Sequence, residues 1–231
     1  MAAQLSMRLE FPASLSRDEL VIGAANKDAF QWLQNWPDWP GPASALNICG
    51  PTGSGKSTLA RYFAARHNLP ILTSLPHFSA SEMPSPHLIL DGVANNEAWS
   101  AEALFHLYNW VVEQEGSLLL MSSLPVARID WGLADLTSRL STAAAEMLLV
   151  PDDEFLEAFL QCLFAKKQCT VPASVLHYLI SHMPRDYSYA IALVDAVDKA
   201  SLDAKKPITV PMMKHVLANF SLSKAQATKG E

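Results

Sequence analysis

At 231 residues, half of them hydrophobic and 17% charged, the chain is long enough for one sizeable core or a main domain with a smaller satellite. Its formal net charge of −6 argues against a general DNA or RNA binder, because such proteins neutralise phosphates with clustered Lys and Arg, and no strong direct nucleic-acid binding is expected. No stretch approaches the roughly 20 consecutive apolar residues of a membrane helix, and Arg8 and Glu10 interrupt any N-terminal signal-type run. A soluble, cytoplasmic protein is expected.

The chain opens on a strict alternation. Gln4, Ser6, Arg8 and Glu10 are polar, whereas Leu5, Met7, Leu9 and Phe11 are apolar. Period two predicts a half-buried strand, either an edge of the protein's own sheet or an extended peptide offered to another protein. The alternation alone leaves both open.

Further along, the short apolar runs ALNIC (45–49), LPILT (69–73), HLILD (87–91), SLLLMS (117–122) and EMLLV (146–150) read as buried strands. Helical patterns separate them. The clearest is 102–115, where Leu104, Phe105, Tyr108, Val111 and Val112 form one stripe and Gly116 stands at the expected C-terminal cap. Strands separated by helices predict a parallel sheet covered on both faces. Trp32, Trp36 and Trp39, with Pro37 and Pro40, suit helix packing followed by a turn. After Pro151 only helices are expected, over 152–166, 173–182, 186–203 and 209–219, the last capped by Thr209 with Pro211 in its first turn. Cys49, Cys162 and Cys169 form no CxxC pair, and His177 and His182 are five apart, so neither a disulfide framework nor a metal site is expected.

One segment carries explicit chemistry. GPTGSGKST at 50–58 (Gly50, Pro51, Thr52, Gly53, Ser54, Gly55, Lys56, Ser57, Thr58) satisfies G-x-x-x-x-G-K-[ST] between a predicted strand and a predicted helix. Its glycines let the backbone turn its N–H groups onto phosphate, Lys56 reaches the β- and γ-phosphates, and Ser57 ligates Mg²⁺. Asp91, closing HLILD, is the expected acid of the magnesium shell. The next residue in many such ATPases is a second acid that polarises the attacking water, but here it is Gly92, and nothing in the sequence puts Glu97 in its place. Nucleotide binding with poor intrinsic hydrolysis is therefore expected. Two arginines stand beyond the sheet: Arg139 closes WGLADLTSRL, and Arg185 starts the helix RDYSYAIALVDAVDKA.

These features, in this order, resemble the DnaA/Hda branch of the AAA+ ATPases. The matching stretches are LVIGAANKDAF (20–30), GPTGSGKST, LILDG, SSLP (122–125), LTSRL (136–140) and PRDYSYAIALVDAVDKASL (184–202), and FHLYNWVVEQEG (105–116) looks like that branch's helix before sensor 1. The resemblance implies an AAA+ α/β domain with a five-stranded parallel sheet, then an all-helical lid. The expected divisions are an extended peptide at 1–11, the α/β domain at 12–150, the lid at 151–222 and a flexible tail at 223–231.

The resemblance also assigns roles. Leu20, Val21, Ile22, Gly23 and Asn26 would lie beside the base and ribose, Ser123 would fall at sensor 1, and Arg185 would reach the nucleotide from the lid. Arg139 would be an arginine finger supplied in trans. The chain ends after the lid without a helix-turn-helix segment, which makes it most like the Hda regulators. Those associate with the DNA polymerase sliding clamp and promote ATP hydrolysis by DnaA. Their clamp-binding peptide resembles QLSMRL, through Gln4, Leu5, Met7 and Leu9. ADP is the expected functional ligand over ATP, with Mg²⁺. The phosphate loop is complete here, whereas some relatives carry a degenerate one. Self-association stays open, as do the readings as a helicase-loader-type ATPase, a P-loop small-molecule kinase or a nucleotide-pinned adaptor.

Overall fold

Strand residues alternate between two faces, and in this chain both faces are apolar. Leu88 and Leu90 of HLILD join Leu118 and Leu120 of SLLLMS in one buried cluster, while Ile89, Leu119 and Met121 point into a second. A sheet of this kind has to be covered on both sides. The computed structural model describes residues 9–10, 22–23 and 25–227, the side chains of 9, 10, 188 and 220–227 excepted. It divides into two units, Met1–Leu149 and Val150–Glu231.

In the first unit five parallel strands, β2 (Ala45–Cys49), β3 (Ile71–Leu72), β4 (His87–Val93), β5 (Ser117–Ser122) and β6 (Ala144–Met147), are joined by β1 (Leu9–Glu10). The order is β1-β3-β4-β5-β2-β6, with β1 antiparallel on the β3 edge, Leu9 opposite Leu72 and Glu10 opposite Ile71. The phosphate-loop strand β2 thus runs between β5 and β6. The last strand starts earlier than the run EMLLV predicts. It opens on Ala144 and Ala145, which a search for large apolar residues passes over, and beyond it the Leu148 N–H still donates to Cys49 O at 2.8 Å.

Helices α1 (Lys27–Gln34) and α2 (Lys56–His67) contribute to one cluster, and α3 (Ala101–Glu113) and α4 (Ala134–Leu140) to the other. The tryptophans behave as packing residues. Trp39 is buried and its indole N–H donates to Trp32 O at 2.8 Å. That of Trp36 donates to Ser117 Oγ at 2.7 Å, at the start of β5.

The end of α3 departs from expectation. Gln114 is the cap and Glu115 takes the left-handed conformation at φ +51° that Gly116 was expected to hold. The Gly116 N–H then closes the turn on Val111 O at 2.8 Å. Gly116 is required for another reason: a Cβ there would lie 2.1 Å from Pro86 O.

The second unit holds α5 (Asp153–Lys166), α6 (Ala173–His182), α7 (Tyr187–Ala204) and α8 (Val210–Ala227). Asp152 and Asp186 cap α5 and α7, accepting from Phe155 N at 2.8 Å and Tyr189 N at 2.9 Å. Phe155, Phe159 and Tyr187 pack edge to face in its core, alongside Leu156, Leu160 and Leu193. No helix among the described residues is long and apolar enough to cross a membrane.

Candidate functional site

The strand β2 ends at Cys49 and the chain then turns sharply. Gly50, Gly53 and Gly55 carry φ of +154°, +80° and +90°, the last two in the region that only glycine enters freely. A Cβ on Gly50 would meet Leu148 O at 2.6 Å. Helix α2 starts at Lys56 behind the N-cap Gly55, which has no side chain to satisfy the first-turn N–H groups. Those donors and the helix dipole are what an anion requires.

Lys56 folds over the loop. Its Nζ donates to Gly50 O at 2.7 Å and Pro51 O at 2.8 Å, and reaches Ser54 Oγ at 3.4 Å. Burial pulls the ammonium below its ordinary pKa, opposed by the charge of Asp91, two residues before the end of β4. The fold therefore brings the loop lysine and the strand acid into one electrostatic neighbourhood. Pro51 and Thr52 are exposed at the tip, Ser54 is buried, and Gly53, Ser57 and Thr58 are half-buried. The donor set suits a polyphosphate.

Gly92 follows Asp91 in an irregularity of the β4–β5 ladder, at φ +82°. Nothing lies within 4 Å of where its Cβ would be, so a side chain fits sterically and is opposed only by the backbone. A left-handed conformation costs a non-glycine residue about 1–2 kcal/mol. Gly92→Glu is expected to lower unfolding free energy in urea by about that amount, without raising ATP turnover. A glutamate variant of unchanged stability with measurable turnover would refute the strain account.

A residue that the sequence reading overlooked joins the phosphate-loop strand to the next loop. Asn47, fully buried in β2, donates from Nδ2 to Leu120 O at 3.0 Å and to Ser122 Oγ at 2.9 Å, and its Oδ1 accepts from Val126 N at 2.9 Å. Ser122 Oγ donates onward to Leu124 O at 2.6 Å, and Ser122 O accepts from Gly50 N at 3.2 Å. The sensor 1 candidate Ser123 is exposed just past this knot. The available signal was a single amide inside the apolar run ALNIC.

Of the residues expected beside the base, Leu20 and Val21 lie outside the described residues, as do Gln4, Leu5 and Met7 of the N-terminal peptide. Asn26 Oδ1 accepts from Gly23 N at 2.9 Å, and Ala25 O accepts from Leu149 N at 3.2 Å, which ties this turn to the chain leaving β6. Ile22 stays exposed. Cys49 is buried and its thiol is pushed up by burial; the three cysteines are all free.

The two arginines are held differently. Arg185 precedes α7 instead of starting it, since Asp186 is the cap, and its Nη2 pairs with Asp153 at 2.8 Å. Both partners are about half exposed, so the pair contributes at most about 1 kcal/mol and is easily exchanged for another anion. Arg139, in the last turn of α4, lies over aromatic rings of α3 instead: its guanidinium carbon is 4.9 Å from the Phe105 ring centre and 5.8 Å from that of Tyr108.

A phosphate loop after the second strand of a β3-β4-β5-β2-β6 parallel sheet, with a separate helical unit downstream, defines an AAA+ fold. Domain III of the Thermotoga maritima replication initiation protein DnaA superposes with a TM-score of 0.72 at 15% identity, covering 90% of this chain and 99% of that one. The Thermotoga maritima RuvB Holliday junction branch migration motor gives 0.62 at 14%, covering 85% and 69%. AMPPCP-bound DnaA from Aquifex aeolicus gives 0.58 at 17%, covering 79% of this chain and 63% of its own length. Residues 152–217 match the family model of the Hda lid domain. The chain thus combines an AAA+ fold like that of DnaA domain III with a C-terminal segment that matches the Hda lid.

Proposed function

We propose that the chain is an Hda-like regulator: a nucleotide-holding AAA+ protein that docks on the DNA polymerase sliding clamp and supplies Arg139 in trans to accelerate ATP hydrolysis by DnaA. The lid match and the DnaA-like fold support the branch. The observation that carries the regulatory role is Gly92, a position next to the strand acid that lacks a second carboxylate and whose φ of +82° opposes one. A home site of this kind retains nucleotide. Lys56 and the first turn of α2 would take the phosphates, Ser57 and Asp91 the Mg²⁺ shell, and Ile22, Gly23 and Asn26 the base side, with Leu20 and Val21 alongside. ADP fits this use better than ATP, since the nucleotide then acts as a pin.

The clamp handle is Gln4, Leu5 and Met7. A Gln amide offers both donor and acceptor to a polar pocket while alternate apolar side chains enter a groove. Leu9 is paired with Leu72 through its backbone, so it joins the handle when the two-residue pairing of β1 opens. Such short strands are marginal in isolation.

Immobilised sliding clamp should retain the wild-type chain and lose a Gln4→Ala/Leu5→Ala variant. Equal recovery of the two would overturn the clamp assignment.

A further inference from the structure

Arg139 is half-buried, yet among the described residues no carboxylate stands within salt-bridge distance of it. What touches the guanidinium is aromatic: the face of Phe105 at 4.9 Å and that of Tyr108 at 5.8 Å. The backbone of the same residue is held separately. Arg139 O accepts from Thr142 Oγ1 at 2.7 Å and from Thr142 N at 3.1 Å, and Thr142 Oγ1 is 3.1 Å from the Tyr108 hydroxyl. Tyr108 is fully buried in the core beneath, next to Leu136 and Leu140 of α4, so the mount is rigid.

The contrast with Arg185 gives this arrangement meaning. A carboxylate partner consumes guanidinium N–H donors and cancels its charge, as Asp153 does at 2.8 Å. An aromatic face attracts the cation through its quadrupole and leaves the five in-plane donors available. A group meant to neutralise a phosphoryl elsewhere needs both an orientation and unspent donors.

We infer that Phe105, Tyr108 and Thr142 are positioning residues that hold Arg139 pre-oriented for a neighbouring molecule's nucleotide, an inference that rests on the regulatory reading above. Phe105 seats the guanidinium, and Tyr108 with Thr142 fixes the end of α4 from which it projects. Their contribution is to maximal rate and not to affinity, because none of them bears the charge that the partner meets.

The test uses the full-length chain, DnaA and DNA-loaded sliding clamp. Phe105→Leu is expected to lower maximal stimulation of DnaA ATP hydrolysis by about threefold to thirtyfold at an unchanged half-saturating concentration. Phe105→Trp restores it, and Phe105→Leu adds nothing in an Arg139→Ala background. Tyr108→Phe keeps the ring and removes only the hydroxyl, so it covers a Phe105→Leu variant that folds poorly; it should cost about twofold to tenfold. The Arg139 Nε–H resonance should be displaced by ring current in the wild type and move back in Phe105→Leu.

A Phe105→Leu variant at full stimulation beside an inactive Arg139→Ala overturns the positioning role and leaves the finger intact. A raised half-saturating concentration with unchanged maximum makes Phe105 a partner contact and also overturns it. If Arg139→Ala stimulates normally, the finger reading itself fails and the positioning role falls with it.

Discussion

Arg139→Ala is expected to reduce the stimulated ATP hydrolysis of DnaA by roughly 10³ to 10⁵, the range that an arginine finger supplied in trans contributes to phosphoryl transfer. At about 1.4 kcal/mol per factor of ten, this is on the order of 4 to 7 kcal/mol of transition-state stabilisation. The loss should appear in single-turnover release of phosphate from ATP-loaded DnaA, with clamp binding of the variant unchanged and its unfolding free energy lowered by no more than about 0.5–2 kcal/mol. The cost in stability is bounded because the contacts surrendered are ring contacts at a half-exposed site, and Leu136 and Leu140 continue to anchor α4 in the core. Arg139→Lys should recover little, since an ammonium has neither the planar fork nor the reach of a guanidinium. Stimulation by Arg139→Ala equal to the wild type would leave an adaptor whose nucleotide is structural.

The second large effect is expected at Lys56. Replacement by alanine removes the ammonium that spans Gly50 O and Pro51 O and the charge that phosphates would meet. Hydrogen bonds to charged groups contribute about 1.5–3 kcal/mol, so affinity for ADP and ATP should fall by about tenfold to a hundredfold in a fluorescent-nucleotide titration. A consequence follows for stability. Saturating nucleotide at about 100 times its Kd stabilises the wild type by about 2.7 kcal/mol, and at the same concentration the variant should lose about half of that shift in melting temperature or more. A variant with undiminished nucleotide affinity would place the phosphates elsewhere. Burial already pulls the Lys56 ammonium below its ordinary pKa, so part of the binding energy is spent restoring its charge at high pH. Affinity should therefore weaken at alkaline pH earlier than an exposed lysine would dictate.

What was legible in the sequence was local. The phosphate loop announces itself through three glycines and a lysine at fixed spacing, and the strands β2, β4 and β5 through continuous apolar runs between helical patterns. The lid helix α6 begins and ends at the predicted residues, since Pro172 ahead of it and Met183 behind it both take extended backbone. What was not legible depends on distant partners. Glu115 adopts the left-handed turn because Gly116 is needed against Pro86, far back in the chain. Asn47 has a role only once β5 and the loop to Val126 lie beside it. The start of β6 on two alanines is set by pairing with Leu46 and Asn47, and not by any hydrophobicity of its own. The aromatic seat of Arg139 was half visible: Phe105 and Tyr108 were read as core stripe, and only the packing of α4 against α3 turns their rings into a surface for a cation.

Gly92 bears on redesign as well as on chemistry. On the proposed reading two separate things stand between this chain and a self-sufficient ATPase: a missing carboxylate, and a backbone at φ +82° that a residue carrying a Cβ adopts at a cost of about 1–2 kcal/mol. Supplying the acid alone strains the strand, and straightening the strand alone supplies no acid. An acid installed at this position therefore has to be accompanied by a change that relaxes the strand, and a single substitution at Gly92 is expected to leave the chain's own turnover where it was.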